Sequence, residues 1–220
     1  MTFKKTMEQL RYIAIEGAIG AGKTSLAKLL TEKLHAKLVL ENASENPFLE
    51  KFYKNPEQFA FQVQVFFLLS RYQQQIELQQ QDLFERITIS DYLFVRDEIF
   101  ARLNLEEDEI SMYRHLHSLL KKKVILPDLV VFLQVSTENL VERIKTRGIY
   151  FEQNISPGYL EAVNQAFNNF FFHYNETPLL VINTNEIDFV NSHEDLDNLV
   201  KEIKEMGKGK KYYVPVSKRR

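Results

Sequence analysis

Gly17, Ala18, Ile19, Gly20, Ala21, Gly22, Lys23 and Thr24 satisfy the pattern G-x-x-x-x-G-K-[ST] without a mismatch. The pattern has a physical cause. Glycines let backbone N–H groups curl around phosphate oxygens, and a following helix N-terminus adds partial positive charge. Lys23 then reaches the β and γ phosphates, and Thr24 offers a hydroxyl to Mg2+. The plain alternative is a Gly-rich turn without function. A phosphate loop establishes nucleotide binding and leaves open which group receives the phosphoryl. Carboxylates decide that. Glu41 and Asp91 each follow a short apolar run, where an acid either takes a proton from an attacking hydroxyl or holds magnesium through its water shell. Capping a following helix is the bland reading for each. Arg143 and Arg147 are four apart near the end of an amphipathic segment, with Glu152 just past Gly148. Two guanidiniums in register clamp a transferring phosphoryl group, or merely complement a helix C-terminus.

These residues need a frame that brings them to one place. Tyr12 to Ile15 is a short apolar run ahead of the phosphate loop, and Leu26, Leu29, Leu30 and Leu34 after it fall at helical spacing. Lys37 to Glu41, Ile87 to Ile89, Leu129 to Val135 and Leu179 to Ile182 read as four further strands. Gln58 to Gln81 has neither Gly nor Pro and predicts one long helix, whose Gln-rich later half is expected to be a solvated face. A helical hairpin is expected between the third and fourth strands, a helix from Ser136 to Gly148, and a last helix over Leu196 to Met206. Strands alternating with helices imply an α/β fold with a parallel sheet covered on both faces, and the strands read here number five. Glu41 and Asp91 then emerge at its carboxyl edge, beside the phosphate loop.

The chain has 220 residues, 45% of them hydrophobic and 26% charged, which fits one globular domain with a substantial core. We divide it into a domain over 1–206, with a lid at about 143–155, and a basic tail over 207–220 that is expected to be flexible, disordered or loosely docked, rather than an arm for nucleic acid or a partner. No uncharged apolar run is long enough for a membrane span, and Met1 to Arg11 lacks the features of a secretory signal. Cysteine is absent, which removes thiolate chemistry and suits the cytoplasm. A formal charge of −2 gives no global attraction to nucleic acid. The five histidines have no metal-ligand spacing, and the aromatic run Phe167 to Tyr174 reads as a core helix rather than a base-stacking surface.

In order along the chain, GAIGAGKTS, LENASENPFLEKFY, FQVQVFFLLSRYQQQ, SDYLF and ERIKTRGIYFE resemble the motif series of the deoxynucleoside kinase family, its bacterial deoxyguanosine/deoxyadenosine branch in particular. The resemblance covers about Tyr12 to Met206. It implies a P-loop kinase fold with a five-stranded parallel sheet, commonly homodimeric, that moves the γ-phosphate of ATP to the 5′-hydroxyl of a deoxynucleoside. It extends the nucleotide-binding set through Ser25, makes Glu41 the base, and puts Asp91 near Mg2+. It also implies that Gln64 and Arg71 face the nucleobase, that Tyr53 and Glu152 hold the sugar 3′-hydroxyl, and that Arg143 and Arg147 are lid arginines.

Two departures stand out. Many members carry an arginine directly after the Asp91 position, where this chain has Tyr92; Arg96 is the candidate replacement. Ile149 stands where many have a third lid arginine. The Asp-Tyr form resembles the bacterial purine branch, which implies a preference for purine deoxynucleosides. A nucleoside monophosphate kinase is the nearest rival, but it must grip an acceptor phosphate, and Ala36 to Ser70 contains no arginine. A non-catalytic ATP-binding module is the rival of another class.

Overall fold

The computed structural model describes residues 10–80 and 87–215. Its centre is a parallel sheet of six strands in the order β2-β3-β1-β4-β5-β6. The strands are β1 (Tyr12–Gly17), β2 (Lys37–Val39), β3 (Thr88–Ser90), β4 (Leu129–Gln134), β5 (Leu179–Asn183) and β6 (Lys210–Tyr213). β1 and β3 are buried along their whole length, as is β4 apart from its last residue. Strands covered on both faces read as continuous apolar runs, which is why they were visible in the sequence.

Eight α-helices connect the described strands: α1 (Lys23–Leu34), α2 (Leu49–Lys54), α3 (Pro56–Gln80), α4 (Arg96–Asn104), α5 (Glu107–Lys121), α6 (Thr137–Arg147), α7 (Pro157–His173) and α8 (His193–Lys204). α4 and α5 are the expected hairpin. Side-chain caps set several starts: Ser136 accepts from Asn139 N, Ser156 from Tyr159 N and Ser192 from Asp195 N. The Ser192 cap moves the last helix upstream of its expected start at Leu196. Gly148 ends α6 with its N–H on Ile144 O.

Phe167 and Phe171 are buried, and Phe171 stacks on Phe132 of β4 with centroids 4.4 Å apart. One face of the aromatic run, with Phe167, Phe171 and Tyr174, is therefore core, while Phe172 is exposed. His117 is buried against Phe94 and pairs with Glu98 at 3.1 Å. Among the described residues, no three or more His, Cys, Asp or Glu side chains gather to hold a metal.

Three expectations need correction. The sheet has six strands because residues 210–213 of the basic tail add to the β5 edge, with Leu179 opposite Lys210 and Ile182 opposite Tyr213. Lys210 also donates to Phe171 O and Phe172 O at the end of α7, where free carbonyls attract a cation. That stretch is docked by backbone pairing; Lys218, Arg219 and Arg220 lie outside the described residues. The second correction concerns the glutamines. Gln75 is only 1% exposed: its amide donates to Tyr12 Oη (3.3 Å) and its oxygen accepts from Ile125 N (3.3 Å). Gln74 donates to Leu40 O at 2.9 Å. The later half of α3 is thus a polar face turned partly inward, onto β1 and the loop after β2. Gln81, the last residue of the expected helix, lies outside the described residues. Third, β2 and β3 end at Val39 and Ser90, so Asp91 directly follows its strand whereas Glu41 lies two residues past β2.

Ending the chain after Met206 removes β6 and uncovers the β5 edge. We expect a loss of about 2 kcal/mol, read as a fall of roughly 5 °C in thermal midpoint, with greater aggregation on heating.

Candidate active site

The phosphate loop leads from β1 into α1, whose N-cap Gly22 is left-handed (φ 96°) and makes no side-chain cap, leaving the first N–H groups of the helix without a capping side chain. Gly20 has φ 84°, and a Cβ there would come within 2.9 Å of Ile144 Cγ1. Helix α6 therefore packs directly on the loop, an approach only glycine permits. Lys23 Nζ donates to Gly17 O and Ala18 O, 2.9 Å each. Burial, then the nearby Arg96, lowers its pKa to about 8, against the pull of Glu16, Asp91 and Glu41.

Asp91 binds the two halves of the site together. One carboxylate oxygen accepts from Thr24 Oγ1 at 2.5 Å and the other from Glu41 N at 2.8 Å. A hydroxyl and a carboxylate side by side at the phosphate loop are the hard oxygen donors that Mg2+ takes alongside substrate phosphates, so this pair fits the ion.

Glu41 is held between two guanidiniums. Arg96 Nη1 donates to Oε2 at 3.0 Å, and Arg71 Nη2 donates to Oε1. Burial alone would raise its pKa, but Arg71, Arg96 and Lys23 override it and hold the carboxyl at about 2. Glu41 is therefore a carboxylate at any working pH and, with both guanidiniums in place, a weak base. Arg71 also pairs with the buried Asp97, beneath the rings of Phe67 and Tyr92 at 5.0 and 5.7 Å.

The end of α6 and the segment after it supply the remaining side. Glu152 is 8% exposed and pairs with Arg147. Phe151 lies parallel on the ring of Tyr53, with an interplanar angle of 9° and centroids 6.2 Å apart. Burial, with Tyr159 and Glu152 adding negative potential, raises the Tyr53 pKa well above that of a free phenol, so its hydroxyl stays a donor.

Two adjoining pockets result. The first holds Ile19, Glu41, Asp91 and Arg96 together with Tyr53, Gln64, Arg71 and Glu152. The second is lined by Gly22, Ser25 and Arg143, with Asn185, Asp188 and Phe189 from the loop after β5. Gly20, Lys23, Thr24 and Arg147 line both. Gly17, Ala18 and Ala21 line neither; Gly17 and Ala18 give their carbonyls to Lys23, and Ala21 gives its own to Arg143. Arg143 is committed to backbone, donating to Ala21 O at 3.2 Å and Thr184 O at 2.7 Å. Of Arg143 and Arg147, the latter alone lines both pockets.

Sequence reasoning missed Asp97, Glu16, Phe151 and the 185–191 loop. Asp97 stands in the first turn of α4, where an acid looks like a dipole partner. Glu16 could have been noticed as a charge at the end of a strand buried on both faces. Nothing in composition marks the other two.

A family model described as deoxynucleoside kinase matches residues 13–208. A deoxyguanosine kinase of Bacillus subtilis is 31% identical over 205 residues, covering 91% of this chain and 99% of that protein. A deoxyadenosine kinase of Dictyostelium discoideum is 37% identical over 172 residues, covering 76% of this chain and 69% of that one. In structure, the chain resembles deoxyadenosine kinase from M. mycoides with bound dATP: TM-score 0.77, 25% identity, and 87% and 98% of the two chains covered.

Since Lys23 is cationic below a pKa of about 8 and neutral above it, the free protein should lose attraction for a triphosphate as pH rises through that value. The check is kcat/KM for ATP against pH, with an alkaline limb expected near pH 8; a flat profile to pH 9.5 would contradict it.

Proposed function

The chain belongs to the deoxynucleoside kinase family, and from that premise we propose that it transfers the γ-phosphate of ATP to the 5′-hydroxyl of a deoxynucleoside, purines preferred, in nucleotide salvage. The observation that carries this reading is the convergence of Glu41 and Lys23 on one pocket, the carboxylate on the acceptor side and the ammonium on the phosphate side. The 5′-oxygen attacks the γ-phosphorus as the bond to the β,γ-bridging oxygen breaks. ADP leaves, and Glu41 takes the hydroxyl proton. Because the transition state is loose, positioning and charge compensation dominate over proton transfer. Lys23 and Arg147, at the junction of the pockets, balance charge on the moving phosphoryl group. Mg2+, held through Thr24 and Asp91, would supply further compensation for the phosphate charge. Tyr53 and Glu152 take the sugar 3′-hydroxyl, with Gln64 and Arg71 at the nucleobase, and the backbone-anchored Arg143 borders the donor. The purine preference draws on relatives named for deoxyguanosine and deoxyadenosine.

An uncharged acceptor is favoured over a nucleoside monophosphate on electrostatic grounds. Arg71 and Arg96 are already neutralised by Glu41 and Asp97, so neither is a spare cation for a second phosphate. Leu69 of α3 and Met112 and Leu119 of α5 are each at least half exposed, and we assign them to the homodimer that the family resemblance implies. Among the described residues no helix is long and apolar enough to cross a membrane. We place the enzyme in the cytoplasm, where its ATP donor is, acting on small molecules and not on nucleic acid.

With Mg·ATP and each natural deoxynucleoside and monophosphate in turn, the expected products are deoxynucleoside 5′-monophosphates. Phosphorylation of monophosphates alone would overturn the reading, and ADP release indifferent to acceptor would point to a bare ATPase. Glu41→Gln should reduce turnover by about two orders of magnitude while ATP still binds. Sedimentation should give twice the 26.0 kDa chain mass, and Leu69→Glu should shift it toward one.

A further inference from the structure

Glu16 is the last side chain of β1 before the phosphate loop, and it is fully buried. β3 pairs with β1 only as far as Ala14 opposite Ser90 and then leaves the sheet. The Leu93 N–H on the departing segment is taken up by Glu16 Oε1 at 2.6 Å, and Glu16 Oε2 accepts from Gly17 N at 3.0 Å. The same carboxylate faces Arg96 Nε at 3.9 Å, an N–H with no hydrogen-bond partner of its own. Arg96 turns its other end, Nη1, to Glu41.

Five ionisable groups, carboxyl and guanidinium in alternation, therefore form a continuous line through the site: Asp97, Arg71, Glu41, Arg96 and Glu16. Both outer members are carboxylates with at most 1% exposure. A buried carboxylate with only cations and N–H donors around it carries structural stress if its charge is removed, because those donors lose their acceptor. Resting on the deoxynucleoside kinase reading, we propose that Glu16 is a positioning residue for the reaction: anchored by the Leu93 and Gly17 N–H groups, it fixes Arg96 against Glu41. It touches neither substrate and works through Arg96. A neutral amide of equal size offers one acceptor oxygen where two N–H donors wait, and it aims an NH2 group at a donor. Arg96 is then held from one side only and swings, taking the orientation of the Glu41 carboxylate with it.

The test is a double-mutant cycle on deoxynucleoside phosphorylation with Glu16→Gln and Arg96→Met. For Glu16→Gln we expect kcat to fall about 10- to 100-fold, with KM for ATP and nucleoside changed less than about threefold. In the double variant the loss should match that of Arg96→Met alone within about threefold, since two residues acting in series cannot both be lost twice. Losses that multiply would show that Glu16 acts independently of Arg96 and would overturn the proposal. So would a folded Glu16→Gln protein with kcat within threefold of wild type. Should Glu16→Gln fail to fold, Glu16→Asp keeps the charge and withdraws it by one methylene. It is then expected to lower kcat at least about fivefold with the same coupling to Arg96, and an unchanged kcat overturns the proposal equally. The wild type is measured first: a chain that phosphorylates no deoxynucleoside removes the proposed function and this role with it, whereas an active wild type matched by its Glu16 variants removes the role alone.

Discussion

A carboxylate enclosed by protein stays ionised only if cations stand against it, and the pairing of Glu41 with Arg71 and Arg96 is the interaction around which the rest of this site is arranged. Neither arginine could be buried without carboxylates of its own, and Asp97 and Glu16 supply them. Four elements converge as a result: the end of β1, the loop after β2, the middle of α3 and the start of α4. The acceptor pocket has polar walls whose charges are already balanced. That suits a substrate bearing hydroxyls and a base, and it resists one that brings another phosphate.

Sheet topology accounts for where this happens. β1 lies between β3 and β4 although the chain visits β2 before β3, so the carboxyl ends of β1 and β3 form a switch point with a crevice outside it. The phosphate loop and Asp91 leave from those two ends, and the Thr24–Asp91 bond closes the gap between them. α6 then lies on Gly20 and delivers Arg147 across the junction.

Much of this was legible in the sequence where the signal was local. The phosphate loop is one contiguous pattern, and Asp91 and Glu41 follow strands whose apolar runs are plain. Tyr53 and Gln64 are different in kind: a tyrosine and a glutamine on helices carry no chemical signature, and only the ordered set of family motifs singled them out. Glu16, Asp97 and Gln75 escaped because their meaning lies in partners far away along the chain; Glu16 and Leu93 are 77 positions apart. The sixth strand escaped for another reason. Lys210 to Tyr213 is too short and too basic to read as a strand alone, and it becomes one by borrowing the open edge of β5.

The ion pair between Arg147 and Glu152 has a consequence for the order of events. In the structure the two residues proposed for donor phosphate and acceptor sugar occupy each other. A nucleoside that draws Glu152 away releases a guanidinium toward the phosphates, and a triphosphate that draws Arg147 away releases a carboxylate toward the sugar. Each guest thus unlocks the place of the other, and by reciprocity the ternary complex forms more readily than either binary one foretells.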